Sequence, residues 1–247
     1  MGVPIDFSAL RPDAWPHDVI DVARHVWSER AQTEYRSIQI MTRFLTEVLG
    51  AGDPLEVYAG AAEAITDEIR HTALCVGVVE ALGGRPALPD PLIETEVPGF
   101  LALSMPERAL GTALSMLAIS ETISTAFIED LQQRCHQPVI RAVLDHTLAD
   151  EQTHHAFGWQ YIEASLARFG GAAHAFGRMV AEVTLAPHEA RLHQALEHIP
   201  PHLRHLDAWP EPELAELGLT STERQALVYQ RVYRDVLEPK LRALGLR

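Results

Sequence analysis

Four stretches with helical apolar spacing, each about thirty residues long, constrain this chain most. The first begins after Pro16 and Asp18 and runs to about Leu49, where Gly50-Ala51-Gly52 ends it. The second opens at Asp53-Pro54 and runs to about Leu82, before Gly83-Gly84. The third has Pro106 at its first position and reaches about Cys135. The fourth opens at Pro138 and runs to about Phe169, before Gly170-Gly171. Proline just inside a start and glycine just past an end are the expected helix punctuation. Helices of this length are roughly 45 Å long at 1.5 Å per residue. The first–second and third–fourth connections are short, which predicts antiparallel pairs. The connection between them, residues 85–105, carries prolines at 86, 89, 91 and 98. Extended, it reaches roughly 70 Å, enough to return along the bundle. The expectation is a single all-α domain over 1–247. Its four-helix core spans 18–168, and 172–247 add two accessory helices, at about 172–197 and 222–244. The stretch 198–219 reads as mostly loop, and Thr220 with Glu223 reads as a capping box for the last helix.

Each long helix has an apolar seam, and each seam is interrupted by acid at mid-length. They run Trp27, Ala31, Glu34, Ile38, Met41, Leu45, Val48; then Val57, Ala61, Ala64, Glu68, His71, Cys75, Val78. The third and fourth are Leu110, Leu114, Leu117, Glu121, Ser124, Ile128, Leu131 and Ile140, Leu144, Thr147, Glu151, His154, Gly158, Tyr161. The second and fourth also resemble each other. Aligning Asp67-Glu68-Ile69-Arg70-His71 with Asp150-Glu151-Gln152-Thr153-His154 matches six of fifteen positions, including Ala73 with Ala156 and Glu80 with Glu163. Ala31 and Glu34 fall on Ala118 and Glu121, so the helix pair looks duplicated.

Four carboxylates at one level of a buried seam cannot all stay charged unaided, because desolvation and mutual repulsion cost several kcal/mol per ion. Two divalent cations would cancel them. The i, i+3 spacing of Glu68 with His71 and of Glu151 with His154 puts both side chains of each pair on one helix face. Lone glutamates from two helices plus Glu-x-x-His from two others form a known two-metal carboxylate arrangement.

On these residues the chain resembles the ferritin-like di-iron carboxylate superfamily over about 18–168, with the single long crossover of that fold. The resemblance implies two Fe ions, with Mn/Fe an alternative, held by Glu34, Glu68, His71, Glu121, Glu151 and His154. The acid before each motif glutamate, with Arg70, looks like the D-E-x-R-H form of the oxygen-activating branch. That branch includes ribonucleotide reductase small subunits, bacterial multicomponent monooxygenases and acyl-carrier-protein desaturases. There Asp67 and Asp150 would hydrogen-bond the metal-bound imidazoles, with Asp67 reaching His154 and Asp150 reaching His71. The implied activity is a di-iron oxygenase or oxidase. It would use O2 as co-substrate to hydroxylate, desaturate or N-oxygenate a small organic substrate, with electrons from a separate ferredoxin or reductase.

Other residues leave alternatives open. His155 lies i+4 from Glu151 and could replace or join His154, although the repeat aligns His71 with His154. Glu29 is an alternative to Glu34 but falls off the seam, and Glu63 and Glu80 read as surface acids or neighbours of the ligands. Arylamine N-oxygenases of this class carry a third histidine one turn before the last Glu-x-x-His. Thr147 stands there, with His146 one residue off, and this departure counts against N-oxygenation. Tyr35, Cys75 and Tyr161 read as core or wall packing that could lie near the metals. The histidines at 188, 193, 198, 202 and 205 do not hold one helix face.

Composition narrows the partners. Lys+Arg is 20 and Asp+Glu is 34, a net charge of −14 that repels phosphate backbones and argues against nucleic acid. No uncharged apolar run reaches about 18 residues, so no membrane span is expected. Two cysteines make no disulfide framework. With no basic-then-apolar start visible, a cytoplasmic protein is expected, and a homodimer is left open. No Gly-rich phosphate loop or nucleophile elbow is present. The competing readings are a ferritin-type ferroxidase and a ligand-binding oxidase that uses the same site on its own side chains.

Overall fold

The computed structural model describes residues 5–88, 98–193 and 206–247, with only the backbone at 98 and 190–193. The chain is all-α, and no strand occurs among the described residues. Its long helices are α1, His17–Ala51, and α2, Leu55–Ala81. After a short α3, Pro98–Leu101, the third long helix spans Met105–Arg134. It consists of α4, Met105–Thr112, a π-helical stretch Ala113–Ser120, and α5, Glu121–Arg134. Then follow α6, Pro138–Phe169, and α7, Gly171–His193. The C-terminal part holds α8, Glu211–Glu216, α9, Thr222–Val232, a second π stretch Tyr233–Leu237, and α10, Glu238–Ala243.

Local chemistry explains the boundaries. Gly52, at φ +68°, closes α1 in the left-handed region, and the N–H groups of Gly52 and Asp53 return to the carbonyls of Leu49 and Val48. The Glu107 carboxylate accepts from the N–H and hydroxyl of Ser104 at 2.9 and 2.6 Å, capping α4. Gln137 caps α6 by accepting from the Ile140 N–H at 2.8 Å.

The long helices close a ring. α1 packs on α2 and α4, and α6 packs on α2, α5 and the first π stretch. Asp67 meets His154 while His71 meets Asp150, so α2 and α6 are antiparallel. Glu47 meets Thr112, and Glu34 acts on Glu121, so α1 is antiparallel to the third helix. α2 and the third helix therefore run the same way, although part of their connection, 89–97, lies outside the described residues. The third helix is apolar and long enough by composition to cross a membrane, at mean hydropathy 1.3, but 61% of that window is buried inside this ring.

The ring's interior has two apolar clusters. One gathers Met41, Phe44, Ala61, Ala64, Leu117, Trp159 and Ile162. The other gathers Trp27, Ala31, Cys75, Val78, Leu131, Ile140 and Leu144. On α1, α2 and α6, the seam acids fall between the two. The C-terminal helices cover this ring. Trp27 Nε1 donates to the Leu217 carbonyl at 2.8 Å, and Gly218 lies so close to the Trp27 ring that a Cβ would sit 2.6 Å from it.

Four expectations need correction. Within 198–219, read as mostly loop, the described part 206–219 is largely helical, with a 3-10 turn at 206–208 and α8 at 211–216; proline in a first turn, here Pro212, costs a helix nothing. The cap of α9 is Ser221, whose hydroxyl accepts from the Arg224 N–H, rather than Thr220. The last helix is interrupted by a π stretch just before Pro239, whose missing N–H and ring bulk disfavour regular α pairing there. The third helix also departs from α geometry, over 113–120. There Ser120 donates to the Ser115 carbonyl at 2.8 Å, and Leu117 is pressed onto α6 at Gly158, where a Cβ would meet its backbone at 2.6 Å. The end of the fifth expected helix, and His198, His202 and His205, lie outside the described residues, as does the side chain of His193.

Candidate metal centre

The mid-seam residues meet at the level between the two apolar clusters. Ligand-type atoms of Glu34, Glu68, His71 and Glu151 all lie within 4.8 Å of one another, and this group could hold a metal ion. His71 Nδ1 is 3.3 Å from Glu151, 3.7 Å from Glu68 and 3.8 Å from Glu34. His154 Nδ1 is 3.3 Å from Glu151 and 3.6 Å from Glu68. Glu121 faces Glu151 and lies outside the tightest foursome. Glu68, His71, Glu121, Glu151 and His154 are buried, and Glu34 is mostly so.

The outward faces of the two imidazoles are also occupied. His71 Nε2 lies 3.1 Å from Asp150, and His154 Nε2 lies 3.2 Å from Asp67. A carboxylate oxygen accepts from a ring N–H, so each Nε2 donates to its aspartate and each Nδ1 faces the glutamates. One nitrogen of Arg70 donates to both aspartates, at 2.5 Å to Asp67 and 2.6 Å to Asp150. The repeat has Thr153 at the matching position, so a single guanidinium serves both halves.

The electrostatics show how strained this group is without a cation. Burial, with Glu68 and Glu151 beside it, raises the pKa of Glu34 well above the carboxylate range. Burial and the facing Glu151 do the same to Glu121. Burial opposes charge on His71, yet Asp150, Glu151 and Glu68 push its pKa up to about 12. His154 moves up as well, burial being outweighed by Glu151. Glu151 is driven down against its burial by His154, His71 and Glu121.

The donor set fits a metal on a separate observation. Both oxygens of Glu68, Oε2 of Glu151 and Nδ1 of His71 and of His154 are buried and make no hydrogen bond among the described residues. Native proteins leave few such atoms, and each unmade bond costs about 1–3 kcal/mol. Five of them gathered in one place, with nitrogen–oxygen separations of 3.3, 3.6 and 3.7 Å, is a pattern that a cation between them would satisfy.

The remaining candidates lie elsewhere. His155 is half-buried beside Lys240, and burial lowers its pKa. Glu29, Glu63 and Glu80 are exposed. Tyr161 donates to Asp53 near the α1–α2 turn at 2.8 Å. Cys75 is buried, and burial with Glu34 nearby raises its thiol pKa well above normal. Two buried acids escaped the sequence reading. Glu47, fully buried, meets Arg43, Arg108 and Thr112. Asp130, 2% exposed, is held by Arg134 and Arg224. Their i, i+4 arginines, Arg43 and Arg134, were the available signal. Comparison with protein families, curated proteins and solved structures found no match to this chain.

Proposed function

We propose that this chain is a ferritin-like di-iron oxygenase or oxidase, and that Glu34, Glu68, His71, Glu121, Glu151 and His154 hold two iron ions. The observation that carries the reading is the set of five buried donor atoms without hydrogen bonds, backed by an aspartate on each imidazole. An oxygen-rich donor set with two imidazoles suits iron or manganese better than a thiolate-seeking metal. Bound iron would supply reductive activation of O2, with electrons from an external ferredoxin or reductase and a small organic molecule as the substrate.

The protein's own residues have definite tasks in this reading. Asp67 and Asp150 fix the tautomer and aim of His154 and His71 and make them better donors. Arg70 holds both aspartates in place through one guanidinium nitrogen. The apolar clusters above and below keep water from the reacting centre. The aspartates favour oxidation of a substrate over iron storage, because storage needs no such orientation of a ligand imidazole.

The test is anaerobic loading with Fe(II), then exposure to O2 with a panel of organic compounds, following O2 uptake and product mass. Two iron ions per chain and an oxidised small molecule are expected. Iron uptake into a large cage without product, or a mass change confined to the chain itself, would refute the oxygenase reading.

A further inference from the structure

A cleft of about 480 Å³ lies where α6 passes the α1–α2 turn, within the size range of small-molecule sites. Its walls are largely apolar: Val57, Phe157, the ring of Tyr161 and Ala164. Phe157 follows His154 by three residues, so the inner end lies about 4.5 Å along the α6 axis from a residue of the carboxylate–histidine cluster. Arg168 marks the mouth, and from Phe157 to Arg168 the cleft extends about 16 Å along the same helix.

The polar groups at the mouth satisfy one another. Arg168 donates to Asp53 at 2.8 Å and to the carbonyls of Ala51 and Gly52. The Tyr161 hydroxyl donates to the other Asp53 oxygen at 2.8 Å. Glu56, also at the rim, is exposed and adds negative charge. Among the described residues lining the cleft the one cation, Arg168, is engaged by Asp53, and the inner wall offers rings and methyls.

At the inner end Phe157 packs against α2 and α1. The Phe157 ring occupies the space a Cβ on Gly60 would need, 2.8 Å away, and stands edge-on to Phe44 at 6.2 Å between centroids. Beyond Gly60, α2 continues toward Glu68 through Ala61 and Ala64, both small and buried.

Resting on the oxidase reading, we propose that this cleft is the substrate site. It binds an elongated, uncharged, hydrocarbon-rich molecule, with its inner end at Phe157 toward the cluster. Phe157 sets how far the molecule penetrates and so which carbon faces the centre.

The test uses the full-length protein as purified and the neutral fluorescent probe N-phenyl-1-naphthylamine. Wild type should bind one probe per chain, displaced at least tenfold better by 1-decanol than by decanoate. Ala164→Trp, which fills the cleft from an exposed position, should weaken the probe at least tenfold with metal content unchanged. Val183→Gln removes an exposed apolar side chain on α7 and should change nothing. Phe157→Ala should shift the best displacer to a longer alcohol. Unchanged binding in Ala164→Trp, equal loss in Val183→Gln, preference for decanoate, or an unmoved chain-length optimum would overturn the proposal. Metal is assayed separately on the same samples. Probe binding with the expected pattern in a wild type that takes up no metal would support the cleft and remove the oxidase reading.

Discussion

Two buried acidic groups in this molecule are built in opposite ways. At the α5–α9 contact, Asp130 sits between Arg134 and Arg224, with nitrogens at 2.8 and 2.5 Å. Burial works against its charge, but the two guanidinium groups hold its pKa below the usual carboxylate range. At the centre of the ring, four glutamates converge, and among the described residues no arginine or lysine pairs with any of them. Arg30 acts on Glu34 from a distance, its guanidinium lying 4.5 Å over the Trp27 ring. There the pKa values of Glu34 and Glu121 go up instead. A buried acid whose cation comes from the chain is a fastener. Buried acids gathered around two imidazoles, with no arginine or lysine among the described residues paired to them, form a group that a cation from outside could complete.

This contrast can be broken at several points. The largest effect belongs to Glu151, which both imidazoles approach at 3.3 Å. Glu151→Ala should leave almost no iron in the purified protein by elemental analysis, while Asp130→Ala leaves iron content as in wild type. Glu121→Ala should reduce iron to below half; full occupancy there would take the third helix out of the centre. Asp150→Asn keeps the shape and removes the charge behind His71. It should weaken metal affinity by about 10–100-fold in a folded protein, read by competition with a chelator.

Stability should separate the two groups by sign. In metal-free protein, Glu121→Gln removes a charge that burial and Glu151 already disfavour. It should raise stability by on the order of 1 kcal/mol, about 2–4 °C in Tm for a chain of this size. Arg224→Ala should do the reverse by about 1.5 kcal/mol, since hydrogen bonds to charged groups are lost. The pH dependence follows the same division. Asp130 has a lowered pKa in the fold, so its contribution is full above the unfolded value of 3.8 and disappears as pH falls through the folded value. Glu34 and Glu121 have raised values, so metal-free protein should gain stability as pH falls through those values toward 4.5. Thermal melts of the chelated protein across this range, with and without Asp130→Asn, resolve the two contributions.

The helices and the level at which their acids meet were legible because both are periodic. A glutamate in an apolar i, i+3/i+4 stripe must face the interior wherever the stripe does. The cross-pairing of Asp67 with His154 and Asp150 with His71 follows once the two motif helices run antiparallel. The fasteners were not legible in the same way. Asp130 and Arg224 are 94 residues apart, and no periodic pattern joins them. The π stretch before Glu121 lies where Leu117 meets Gly158 on another helix, a contact that local propensity does not encode. The cleft comes from the meeting of a turn and a helix more than a hundred residues apart, and nothing in either segment announces it.

The central claim is that the glutamate–histidine cluster is completed by metal from outside the chain. The most direct measurement is anaerobic titration of chelator-treated protein with Fe(II), followed by equilibrium dialysis and elemental analysis. The account predicts saturation at two iron ions per chain, with proton release on binding because His71 holds its proton up to a pKa of about 12 without metal. A protein that stays folded and takes up no iron, with no proton release, would contradict it.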